Sequence, residues 1–90
     1  MGDEMTLYEF IEEKDKALEM NNVNVFIEFI GKAVLGGVLT VRAYQQFMDA
    51  DETERTTMLH KLAMTATGIS KERKAVAREW LKARGIDYRL

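Results

Sequence analysis

Ninety residues, with 47% apolar and aromatic side chains and 31% charged ones, describe a short globular chain and exclude a disordered tail. Cysteine is absent, which removes disulfides, zinc–thiolate sites and thiol nucleophiles, and which fits a cytoplasmic chain. Net charge is only −2, yet residues 1–60 carry twelve Asp/Glu against five Lys/Arg, and residues 61–90 carry eight Lys/Arg against three Asp/Glu. An acidic surface and a basic surface are therefore expected, within one helical domain spanning residues 1–90.

The start, MGDEMTLYEF, is acidic where a secretory leader is basic. Thr6-Leu7-Tyr8-Glu9 has the spacing of a capping box, in which the Thr hydroxyl accepts from the third amide on and the Glu reaches back. Behind it, Leu7, Phe10, Ile11 and Leu18 share one helical face, and Glu9, Glu12, Glu13 and Glu19 share the other. Met20-Asn21-Asn22 ends this helix, because Asn tolerates a left-handed cap.

Residues 23–41 are the most apolar stretch. Asn24, Glu28 and Lys32 argue against a membrane span, since a charge at mid-bilayer costs about 2.5–3.5 kcal/mol. Within it, Val34-Leu35-Gly36-Gly37-Val38-Leu39-Thr40-Val41 reads either as a β-hairpin around the glycines or as a helix stop. The helical reading caps the segment at Asn22 or Asn24 and sets Glu28 beside Lys32 at i,i+4. It also lets Thr40 cap a third helix with Val41, Tyr44, Phe47 and Met48 on its inner face. A lone two-stranded ribbon in a helical chain would be marginal, so a helix ending at Gly36–Gly37 is expected. Phe29 and Leu35 lie off the main stripe of Phe26, Ile30, Ala33 and Val34, and are the expected seam of a homodimer.

Asp51-Glu52-Thr53-Glu54 opens a fourth helix with Asp51 as cap, Met58, Leu59, Leu62, Ala63 and Ala66 as the apolar face, and Gly68 as the stop. The same segment fails as a calcium loop: Glu54 and His60 stand where a glycine and a bidentate glutamate are required. His60 is the only histidine and falls beside the apolar stripe, so a surface position is expected. Ser70 caps the last helix, and Gly85-Ile86 has the form of a Schellman stop. The expected fold is all-α, a compact bundle of about five short helices.

Gly68-Ile69-Ser70 resembles the turn of a helix-turn-helix. However, Met64 and Lys74 occupy the places where that motif carries an alanine and a branched apolar residue. A plain helical corner is the expected reading. On the last helix, Lys71, Lys74, Arg78 and Lys82 fall in one narrow stripe, flanked by Arg73, Arg84 and Arg89, with Ile69, Val76 and Trp80 opposite. A stripe of this kind neutralises phosphates, steers an acidic protein, or is simply a solvated face. No metal-ligand set, phosphate loop or nucleophile–base spacing occurs, so no metal, cofactor or catalysis is expected. The expected function is a small regulatory or adaptor protein that binds a protein partner. The alternative is a DNA-binding regulator using Lys71, Lys74, Arg78 and Lys82; the third reading is a structural component of an assembly.

Overall fold

Five polar side chains set where the helices begin. In the computed structural model, which describes residues 4–87, Thr6, Asn22, Thr40, Asp51 and Ser70 have extended backbone and accept from first-turn amides. They open α1 (Leu7–Glu19), α2 (Val23–Leu35), α3 (Val41–Asp49), α4 (Glu52–Thr65) and α5 (Lys71–Ala83). The Thr6 hydroxyl accepts from the Glu9 amide at 3.1 Å, and the Glu9 carboxylate accepts in return from the Thr6 amide, so the expected capping box closes. Among the described residues there is no strand, and the fold is an all-α bundle of five short helices.

The stops are as local as the starts. Asn21 has φ 52°, and its amide donates to Leu18. Gly37, at φ 79°, donates to Val34, and Val38 donates to Ala33, the paired bonds of a Schellman motif. The glycine pair is thus a helix stop and not a hairpin. Gly85, at φ 67°, and Ile86 repeat the pattern on Lys82 and Leu81. Gly68 plays a different part from the one expected. α4 stops at Thr65 and the chain turns at Ala66 in extended backbone. Gly68 lies beyond it, where a Cβ would collide with the Asp15 carboxylate. Arg55 of α4 donates to the carbonyls of Phe47 at 3.2 Å and Met48, which satisfies the open end of α3 and fixes that corner.

The helix that is apolar nearly all round is central: α2 packs on α1, α3 and α4, while α4 backs onto α1 and α5. Phe26, Phe29, Ile30 and Ala33 are its buried residues. Phe29 lies between the rings of Phe10 and Phe26, at 5.3 and 5.7 Å, and Phe26 meets Phe47 edge-on at 5.6 Å. Each such pair contributes about 0.5–1.5 kcal/mol beyond the area it buries.

Packing corrects several expectations. Phe29 is covered by its own chain and offers no seam to a second copy. Leu35, its companion in that expectation, is 84% exposed. Leu7 and Ile11 of α1 and Val41 of α3 are exposed although they fall on the inner stripes, because they sit in early turns that no other helix covers. Glu28 and Lys32 do not close an ion pair, whereas Lys14 pairs with Asp15 and Lys16 with Glu12 and Glu13. Among the described residues, no helix is long and apolar enough to cross a membrane. Because Gly37 occupies the left-handed region, Gly37→Ala is expected to lower the unfolding free energy by about 1–2 kcal/mol, measured by urea titration of the helical circular dichroism.

Candidate functional site

The inner face of α5 differs from the one its charges suggest. Arg73, Ala77 and Leu81, at steps of four, are the buried residues, and Val76, expected inside, is 48% exposed. The structure leaves Lys71, Arg78 and Lys82 exposed, with Lys74 half-buried. The stripe borders the buried face instead of opposing it, and Glu72 and Glu79 are exposed on the same helix. Arg89 lies outside the described residues.

Arg73 was expected to flank the stripe in solvent, and His60 to lie at the surface; both are buried, at 4% and 2% exposure. The reason is a polar cluster joining three helices. Arg73 Nε donates to the Leu18 carbonyl at 2.7 Å, and Nη1 lies 3.2 Å from His60 Nδ1. Arginine has no acceptor, so Nδ1 must supply the lone pair and the ring proton resides on Nε2. The His60 ring stacks on Trp80 at 4.7 Å between centroids, and the Arg84 guanidinium lies 3.9 Å from the centre of the Trp80 ring. Nearby, Glu19 accepts from the Ser70 amide at 2.9 Å and from its hydroxyl at 2.6 Å.

These contacts move the titrations. Burial, then the charges of Arg73 and Arg84, push His60 down to about 4. The Ser70 hydroxyl, then its amide, hold Glu19 below the usual carboxylate range. Burial lowers Arg73, and the Glu19 charge opposes that shift. Arg73 Nη2 is buried without a hydrogen-bond partner. The cluster is a clamp between the end of α1, the middle of α4 and the start of α5. Two of its bonds, Ser70 to Glu19 and Arg73 to Leu18, join residues more than fifty positions apart along the chain. The one local sign of it was the four-step spacing of Arg73, Ala77 and Leu81.

A second feature is open to solvent. Between α1, α2, α3 and α4 lies an apolar groove of about 360 Å³. Phe26, Phe29 and Ile30 form its α2 wall, Phe10 its α1 wall, Ala43 and Phe47 its α3 wall, and Met58 and Leu62 its α4 wall. Lys14 and Gln46 are the polar residues that line it. The Lys14 ammonium lies 3.9 Å from Asp15, which offsets its charge. Ligand sites typically span ~300–1,000 Å³ with mostly apolar linings, and this groove falls in that range. Sequence periodicity marks Phe10, Phe26, Ile30, Phe47, Met58 and Leu62 as inward-facing, but it does not show the recess that they leave between the helices.

Among the described residues, no three His, Cys, Asp or Glu gather as a metal ion would require. In comparisons with known proteins, no family model matches the chain, and neither a curated protein nor a solved structure gives a significant match.

Protonation of His60 is disfavoured in the folded state and free in the unfolded one. Its contribution to stability is therefore complete above about pH 6.5 and is lost as the pH falls towards 4. By linkage the loss is at most about 3 kcal/mol. Urea midpoints measured from pH 7.5 to 4 should fall across that window, and His60→Gln should flatten the slope between pH 6.5 and 4.5.

Proposed function

We propose that this chain is a small non-enzymatic regulatory or adaptor protein that works in the cytoplasm as a homodimer and binds a protein partner in the groove between α1, α2, α3 and α4. The groove carries the reading: aromatic rings from α1, α2 and α3, with Met58 and Leu62 of α4, line one slot that opens to solvent. Such a slot fits the apolar face of an amphipathic helix. The walls come from residues 10–62, within the part of the chain rich in Asp and Glu. Lys14 is offset by Asp15 and Glu12 by Lys16, and the groove lining is otherwise uncharged. A partner helix whose apolar anchors fill the slot is therefore the favoured occupant.

Duplex DNA on Lys71, Lys74, Arg78 and Lys82 is the second reading, supported by the exposed cations of α5. It has the weaker support, because Lys74 is half-buried and Glu72 and Glu79 share the helix. The two readings separate in one experiment. Wild type, Leu62→Glu and Lys74→Glu/Arg78→Glu are immobilised side by side and offered cell extract and labelled duplex DNA at physiological salt. Leu62 is 40% exposed, so its replacement leaves the core in place. A protein retained by wild type and by the α5 variant, and lost from Leu62→Glu, is the expected result. DNA binding that is lost only in the α5 variant would move the function to nucleic acid.

A further inference from the structure

The side of α2 turned away from the groove carries a glycine that the fold of one chain does not require. Gly31 lies inside the helix, its φ is not positive, and a Cβ built on it meets nothing within 4 Å. Glycine at such a position costs about 1 kcal/mol relative to alanine. Beside it lies a hollow of about 260 Å³ bounded by Gly31, Val34, Leu35 and Tyr44. Leu35 stands on its rim, 84% exposed. The Met5 amide donates to the Gly36 carbonyl at 3.0 Å, which brings the start of α1 to the same end of the molecule. Leu7 and Tyr8 follow there, 69% and 76% exposed, and Val41, one turn before Tyr44, is 69% exposed.

We propose that a second copy of this chain covers this end, the two meeting across a two-fold axis with Leu35 of each in the hollow of the other. The proposal rests on the dimeric reading above and names its surface. A self-complementary contact needs a protrusion and a cavity in one patch, and here they lie within a single turn of α2. Near a two-fold axis like residues face like, so charges there repel; the residues that line the hollow are all uncharged. Going by side-chain size, the four most exposed residues offer on the order of 500 Å² of the ~800 Å² per partner in a standard interface. The hollow supplies further contact area. The missing Cβ of Gly31 lets the second α2 approach closely.

Light scattering of the full chain over a range of concentrations tests this, with circular dichroism as the check on folding. Wild type is expected at twice the 10.3 kDa chain mass. Leu35→Asp and Gly31→Leu are each expected to halve the mass with helix content unchanged. Gly31→Leu fills the hollow and raises helix propensity, so its effect is not that of unfolding. Leu62→Glu, on the groove, should remain dimeric. A wild type that is monomeric at every concentration overturns the dimeric reading and this surface together. A dimeric wild type, with either variant folded and still dimeric, overturns the surface alone.

Discussion

Arg73 reaches inward from the first turn of α5 and places its guanidinium between the last carbonyls of α1 and the ring of His60. Removing such a cation from water costs several kcal/mol, and among the described residues no ion pair to it is formed by Asp15, Glu12 or Glu13, which pair with lysines instead. Charge-assisted bonds to Leu18 and His60 offset that cost only where α1, α4 and α5 hold one arrangement. A slipped helix would leave the cation buried with fewer partners still. With α5 anchored in this way, α4 is held against α1, and the groove wall formed by Met58 and Leu62 keeps its distance from Phe10.

The ends of the helices were legible because their causes are local. A cap needs one oxygen and an amide two or three residues on, and Thr6, Asn22, Thr40, Asp51 and Ser70 are where such spacings place them. A Schellman stop needs a residue that tolerates positive φ, as at Gly37 and Gly85. Facing was less legible. Leu7, Ile11 and Val41 have the periodicity of core residues, but burial depends on what another helix covers. Arg73 lies inside because of Leu18, far away in sequence, and His60 because α5 folds back onto α4; a charge pattern on one helix does not contain that information. The groove and the hollow are differences between surfaces, and no single stretch of sequence encodes a gap.

The two apolar recesses lie on different sides of the bundle. On α2 the groove takes Phe26, Phe29 and Ile30, while the hollow takes Gly31, Val34 and Leu35. On α3 the groove takes Ala43 and Phe47, and the hollow takes Tyr44. At 100° per residue Gly31 and Leu35 fall on a different face of α2 from Phe26, Phe29 and Ile30, with Val34 between the two sets. Self-association at one and docking at the other are thus compatible, and pairing two copies would present two grooves to a partner with two matching segments.

Trp80 is the chain's only tryptophan, and it stacks on the one histidine whose proton uptake the fold opposes. The indole is therefore an internal optical reporter. Its emission comes from the single place where α4 and α5 are joined through ring contact, next to the clamp that holds α1. Unlabelled protein carries a local readout of that corner, distinct from the global signal of its helices. Loosening there can be timed separately from the collapse of the bundle as a whole.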